Sequence, residues 1–129
     1  MKTPSFVEAL TGETITSIVG AEDNNDEVTI TCESGAEFRM YHSQDCCECV
    51  QIYKVFGTPS AGRVLSCHES DEQPEWCNTE DRSFDDSHTW TVYYFTVLTP
   101  TGESSFAIAW LGESNGYYSE EVSFDRITK

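Results

Sequence analysis

Apolar and polar residues alternate along several segments of the chain, and a period of two is typical of β-strands with one buried face. Val28, Ile30 and Cys32 alternate with threonines, and after a turn at residues 33–35 the pattern resumes at Phe38 and Met40. These two segments predict a β-hairpin. The same alternation, or a run of β-branched and aromatic residues, predicts strands at residues 14–19, 28–32, 38–42, 49–56, 64–65, 89–98, 106–110 and 122–124.

Helical patterning is confined to residues 4–10, so we expect at most one or two short helices. Ala107 and Ala109 lie opposite the apolar face of their strand, which indicates that another layer packs closely there. With 129 residues, the chain is long enough for one domain with a substantial core. We therefore predict a mainly β fold, a single antiparallel β-sheet or sandwich-like domain spanning residues 1–129.

The charge balance of the chain is strongly acidic. Seven Lys and Arg residues stand against 23 Asp and Glu residues, which gives a formal net charge of -16. A nucleic-acid binder needs basic side chains to displace counterions from phosphates, so direct nucleic-acid binding is not expected. No apolar run approaches the roughly 20 residues of a membrane span. The amino terminus also lacks the pattern of a secretory signal, so we expect no membrane partner and a location in the cytoplasm.

Much of the negative charge lies in two segments predicted to be loops, residues 22–27 and 69–86. The first does not follow the EF-hand spacing of calcium ligands, and we interpret it as a solvated loop. The second could present carboxylates to a basic protein partner, or it could simply be solvated. The charge exceeds what solubility requires, which favours binding. The candidate binding residues are Glu69, Asp71, Glu72, Glu75, Asp81, Asp85 and Asp86.

A second candidate binding surface follows the strand at 106–110. Asn115 and Gly116 favour a tight turn, which would present Tyr117 and Tyr118 beside it. Tyrosines on a rigid turn are good anchors for a partner or a small ligand. The simpler interpretation is a structural turn whose tyrosines pack on the sheet.

Reactive side chains are densest at residues 42–49, which read His-Ser-Gln-Asp-Cys-Cys-Glu-Cys. On an extended backbone, His42 and Glu48 would share one face of a strand, and Cys47 and Cys49 the other. The candidate thiol or metal cluster consists of His42, Asp45, Cys46, Cys47 and Cys49.

This cluster allows three interpretations. Zinc could be bound by Cys47 and Cys49 together with Cys67, His68 or Cys77, but the repeated Cys-x2-4-Cys pairs of structural zinc sites are absent from the sequence. A thiolate activated by an imidazole could be a nucleophile, although a field of carboxylates raises a thiol pKa. The third interpretation, which we favour, makes the cysteines small buried apolar residues, reduced inside a cell and without a cofactor.

Two motifs together resemble those of a known family. H-x-Q-D-C-C-E at residues 42–48 and W-x-G-x-S-N-G-Y-Y-S-E at residues 110–120 resemble an uncharacterised family of small phage and bacterial proteins, catalogued only as a domain of unknown function. Its members similarly carry an acidic stretch followed by a strand like residues 87–93, where His88 stands in place of the usual tyrosine. The resemblance covers about residues 38–124 and leaves Cys49, Cys67 and Cys77 outside the motifs, which argues against a six-cysteine metal cage. It implies a phage-encoded or prophage-like setting and no assigned activity.

Three functions follow from these observations. The first, which we favour, is a non-enzymatic, phage-type accessory protein that binds a partner with a basic surface through its own acidic surface. The second is a small virion component, a decoration or connector protein, whose cysteines cross-link neighbouring virion proteins by disulfide exchange. The third is a cysteine- or zinc-dependent enzyme built on residues 42–47.

Overall fold

The alternating segments of the sequence form strands in the computed structural model, which describes residues 6–42, 48–77, 87–114 and 120–127. Those residues contain one short helix and eight strands. The elements are α1 (Phe6–Leu10), β1 (Thr14–Val19), β2 (Glu27–Cys32), β3 (Glu37–Tyr41), β4 (Cys49–Phe56), β5 (Gly62–Ser70), β6 (Ser87–Thr99), β7 (Gly102–Ser114) and β8 (Ser123–Arg126).

The strands form one sheet in the order β4-β7-β6-β5-β1-β2-β3-β8, and every neighbouring pair is antiparallel. The mainly β, antiparallel fold expected from the sequence is confirmed. Its longest pairing joins β6 and β7, two strands of 13 residues each. Thr99 closes their turn by donating a hydrogen bond from Oγ1 to the carbonyl oxygen of Gly102 at 2.8 Å.

The sheet curves around a single interior. Val50 of β4, at one end of the strand order, belongs to the same buried cluster as Phe38 of β3, near the other end. Helix α1 contributes Phe6, whose ring contacts Tyr93 and Phe95 with centroid distances of 4.7 and 5.2 Å. We call the face that packs on this cluster the inner face and the opposite one the outer face.

Strands β6 and β7 are buried on the outer face as well. Residues 71–77 fold back over it and place Cys77 in a second buried cluster with Val92, Ala107 and Ala109. The amide of Cys77 donates to the carbonyl of Pro74 at 3.1 Å, and the side-chain amide of Gln73 donates to the carbonyl of Cys77 at 2.8 Å. The layer predicted from the two small alanines is therefore this segment.

The acidic segment differs from the exposed loop expected at residues 69–86. Glu69 and Ser70 belong to β5, which is far longer than the strand predicted at 64–65, and Pro74 and Cys77 are buried. The polar outward positions of β5, such as Ser66 and His68, hide its period of two from sequence analysis. Residues 78–86 lie outside the described residues.

The outer edge of β4 is covered by the loop between β1 and β2. Ile52 exchanges two backbone hydrogen bonds with this loop, accepting from Asn24 at 2.8 Å and donating to Asn25 at 2.7 Å. The amide of Val55 donates to the Asp23 carboxylate at 3.0 Å. These bonds occupy backbone groups that an edge strand otherwise offers to other chains.

Candidate functional site

The first and last residues of the first motif, His42 and Glu48, form a buried hydrogen bond with each other. Imidazole Nε2 lies 2.7 Å from the Glu48 carboxylate, and the exposed fractions of the two side chains are 4% and 0%. Nδ1 donates to the carbonyl oxygen of Glu121 at 2.7 Å, since a carbonyl only accepts. With Nδ1 protonated, the Nε2 contact holds one further proton, giving either imidazolium with carboxylate or neutral imidazole with carboxylic acid.

The expected placement of His42 and Glu48 on one extended strand is wrong. Strand β3 ends at Tyr41 and β4 begins at Cys49, so His42 follows one strand and Glu48 precedes another. Six residues of extended chain would separate them by about 20 Å, whereas their side chains are in contact. Asp45, Cys46 and Cys47 lie outside the described residues.

The second motif ends in a buried carboxylate held by two hydroxyl groups. Glu120 accepts hydrogen bonds from Thr89 at 2.7 Å and from Ser114 at 2.5 Å. Gly112 makes this approach feasible, because a Cβ there would lie 2.6 Å from the carbonyl oxygen of Glu120. The bond from His42 to Glu121, the residue that follows the second motif, connects the two motifs. We call this group, His42, Glu48, Thr89, Ser114 and Glu120, the polar junction.

The polar junction connects the end of β3 and the start of β4 with strands β6 and β7 and with the segment before β8. Asn115, Tyr117 and Tyr118, candidates for a binding turn, lie outside the described residues.

The described cysteines are free, and three of them are buried. Burial raises the pKa of the Cys32 thiol to about 11, with a smaller contribution from the charge of Glu13. Burial likewise raises the pKa of Cys77 to about 11; Lys54 opposes this rise and Asp23 adds to it. The pKa of Cys67 is also raised, chiefly by burial. The carboxylate field invoked from the sequence acts in the expected direction but is secondary to burial.

The described residues do not bring the proposed zinc ligands together. Cys67 belongs to the inner cluster, while His68, the next residue along β5, lines a cavity on the outer face. Cys49 is exposed at the start of β4. Within the described ranges, no group of three or more His, Cys, Asp or Glu side chains is placed to hold a metal ion.

A row of side chains crosses four strands of the outer face and forms a cavity. Strand register places Phe56 beside Ala107, Ala107 beside Tyr94, and Tyr94 beside His68. The small Ala107 side chain leaves a depression between the larger neighbours. Trp76, from the segment over the sheet, packs near Phe56 with a centroid distance of 5.2 Å. The resulting cavity has a volume of about 260 Å³.

Carboxylates lie at the mouth of this cavity. His68 and Tyr94 also line a wider depression of about 690 Å³ together with Asp71 and Glu72. Glu72 is held in position by a hydrogen bond from its amide to the Ser70 hydroxyl at 3.2 Å. The pKa of Tyr94 is raised by burial first, and then by the charges of Cys77 and Glu72, which places the Glu72 carboxylate near the phenol.

The structure therefore brings together part of the acidic surface predicted from the sequence. Asp71 and Glu72 line one depression, whereas the register pairs Glu69 with Tyr93 of the inner face, where burial raises the pKa of the Glu69 carboxyl. Glu75 is exposed on the same segment, next to Trp76. The other candidates, Asp81, Asp85 and Asp86, lie outside the described residues.

The chain matches the sequence model of one known protein family. The sequence model of a domain of unknown function, DUF7448, matches residues 8–124. The chain belongs to the DUF7448 family. Both motifs and the cavity residues fall within the matched range. No curated protein and no solved structure matches the chain. Among the described residues of this DUF7448 protein, no helix is long and apolar enough to cross a membrane.

Sequence analysis missed the aromatic residues that build the cavity. Phe56, Tyr94 and Trp76 were apolar residues without a distinguishing motif, and His68 was considered only as a zinc ligand. The one indication in the sequence is the small Ala107 in a strand next to aromatic strands. Only the strand register shows that Ala107 lies between Phe56 and Tyr94 and so leaves space for a cavity. The burial of Glu48, Glu113 and Glu120 was not predicted, because acidic side chains are normally exposed.

Proposed function

We propose that this DUF7448 protein is a non-enzymatic binding protein that holds a basic protein partner against the outer face of its sheet. The observation that supports this most directly is the aromatic cavity opening beside Asp71 and Glu72. Aromatic side chains supply binding energy when a partner buries them, and carboxylates select partners of opposite charge.

The net charge of the chain supports the same function. A charge of -16 on 129 residues creates a long-range negative potential that accelerates encounters with basic proteins. It also repels nucleic acids and other acidic proteins. We extend the proposal to a phage-type accessory role, in which the partner is a host component with a basic surface.

Neutralising the mouth of the cavity tests this function. The double variant Asp71→Asn/Glu72→Gln removes two charges there, while Glu22→Gln/Glu33→Gln removes two exposed charges at the β1–β2 loop and the β2–β3 turn. The probe is a fluorescent decapeptide containing four basic residues, titrated at about 50 mM salt, where screening is weak.

We expect the first double variant to weaken binding by about tenfold and the second by no more than about twofold, because nearby charges dominate an exposed site. If the two double variants weaken binding equally, the peptide is attracted by the net charge of the protein and not by the carboxylates beside the cavity. Absence of binding at low salt would exclude the proposed function.

A second candidate, the small virion component, is supported by Cys49. This thiol is exposed at the start of β4, which ends the strand order of the sheet. A cross-linking role predicts disulfide-linked dimers after mild oxidation on a non-reducing gel, and their loss in Cys49→Ala.

A further inference from the structure

We propose that the outer-face cavity is a binding slot for an arginine side chain of the partner. The proposal rests on the proposed function, because it names the group by which a basic partner is recognised. It differs from general acidic attraction in requiring a planar cation between aromatic walls.

The register of the sheet gives the slot its width. Phe56 and Tyr94 flank Ala107 on either side, so their strands are two spacings apart, about 10 Å. Ala107, between them, supplies a floor with a single methyl group. The cavity volume of about 260 Å³ lies below the roughly 300–1,000 Å³ of sites for drug-sized ligands, as expected for one side chain.

The walls of the slot are flat. The rings of His68 and Tyr94 stack with a centroid distance of 4.4 Å and an interplanar angle of 11°. On the other side, the rings of Phe56 and Trp76 are tilted by 33° to each other with a centroid distance of 5.2 Å. A planar guanidinium stacks on aromatic faces and is more weakly hydrated than an ammonium group, so these walls favour arginine over lysine.

Hydroxyl oxygens line the slot beside the rings. Ser66, Thr96 and Ser105 all contribute to the cavity lining, and the hydroxyls of Thr96 and Ser105 are 3.3 Å apart. A guanidinium carries five N–H donors in one plane and no acceptor, so it can donate to such oxygens while it stacks.

Charge near the mouth favours a cation. The Glu72 carboxylate acts on the Tyr94 phenol, and Asp71 lines the adjoining depression. Among the described residues that line the cavity, the basic group is His68, in the wall; Lys54 acts on Cys77 and does not line the cavity. The carboxylates of Asp71 and Glu72 beside the aromatic slot therefore favour one additional positive charge.

Three peptides separate this slot from general attraction. They are fluorescent decapeptides with three lysines and a fourth position occupied by arginine, lysine or citrulline, the last being planar and uncharged. Binding is measured by fluorescence anisotropy with the full chain. We expect the arginine peptide to bind at least about fivefold more tightly than either of the others, since stacking and charge are both needed.

Variants then locate the preference. Trp76→Ala should reduce the affinity for the arginine peptide to that for the lysine peptide. Phe56→Ala should have the same effect. Because the Phe56 side chain is 49% exposed, this variant replaces Trp76→Ala as the test should Trp76→Ala fail to fold. Val19→Ala, which shortens an exposed apolar residue on β1, is the matched control and should leave the preference unchanged.

The outcomes distinguish the two proposals. Equal, salt-sensitive binding of the arginine and lysine peptides would overturn the slot and leave the acidic binding function standing. Citrulline binding as tightly as arginine would also overturn it, because the cavity would then select apolar, planar groups. No binding by any peptide at low salt would overturn both.

Discussion

Buried carboxylates dominate the chemistry of individual residues in this protein. Glu48, Glu113 and Glu120 are each less than 10% exposed, although the chain carries enough surface charge to be soluble without them. A buried carboxylate is costly unless it is paired or hydrogen-bonded. Glu48 contacts His42, and Glu120 accepts from Thr89 and Ser114, so these glutamates stabilise the junction between strands.

Removing the Glu48 carboxylate should lower the free energy of unfolding by about 3 kcal/mol, because the buried imidazole of His42 loses its partner. Glu48→Ala is compared with Glu48→Gln, whose amide can still bond to Nε2 and should recover part of the loss. Urea denaturation measures both.

The exposed pair of Arg39 and Glu27, 3.1 Å apart, provides the control for charge removal. Glu27→Ala should cost less than about 1 kcal/mol, as exposed ion pairs usually do. If Glu48→Ala and Glu27→Ala have equal costs, the His42–Glu48 contact does not stabilise the fold.

The buried thiols predict a loss of stability in alkali. Because burial raises the pKa of Cys32 and Cys77 to about 11, the folded chain retains protons that an unfolded chain releases above its ordinary thiol pKa of about 8.5. The free energy of unfolding should therefore fall as the pH rises from about 8.5 to about 11. Urea denaturation across this interval gives the slope.

Cys77→Ala should make this slope shallower by removing one of the titrating groups. Val92→Ala, in the same outer-face cluster as Cys77, is the control: it lowers stability through lost packing but carries no proton. A slope that Cys77→Ala leaves unaltered would contradict the assignment of the effect to this thiol.

Among the elements, strand β4 is stabilised by a segment outside the sheet. It is the last strand at one end of the sheet, and the edge that pairs with no other strand forms hydrogen bonds with the loop between β1 and β2. A bulge between Ile52 and Lys54 shifts the register where this loop docks. The acidic segment at residues 22–27, expected to be merely solvated, thus contributes Asp23 to the edge.

Asp23→Ala should lower the free energy of unfolding by about 1 kcal/mol, because the Val55 amide loses its side-chain acceptor. The matched control is Glu22→Ala, which removes the same charge from the adjacent, exposed position. Thermal and urea denaturation should show that Asp23→Ala is less stable than Glu22→Ala. Equal stabilities would show that the Asp23–Val55 hydrogen bond does not stabilise the fold.

Most strands could be predicted from the sequence because their apolar and polar residues alternate or because β-branched and aromatic residues are consecutive. The β-branched run at β1 and the apolar run at β4 gave the same bounds that the structure has, Thr14–Val19 and Cys49–Phe56. Strand β5 was underestimated because its outward residues are polar, and β7 runs past Gly112, which accommodates Glu120 instead of ending the strand. The cavity required the register of four strands, which no local pattern contains.

At the scale of the whole molecule, the curved sheet separates two environments. The inner face encloses the main apolar cluster with Trp110 fully buried, while the outer face carries the segment at residues 71–77, the aromatic slot and the carboxylates beside it. Negative charge is therefore concentrated next to an apolar recess, an arrangement that suits recognition of a basic side chain with an extended, planar head group.

The most direct test of this account is a nuclear magnetic resonance titration of the isotope-labelled protein with the arginine decapeptide. The chain contains three tryptophans, so its indole signals are few and well suited as reporters. We predict saturable shifts of the Trp76 indole and of the Phe56 and Tyr94 amides, with the Trp110 indole of the inner core unchanged. Shifts centred on the polar junction, or spread evenly over the acidic surface without Trp76, would contradict the account.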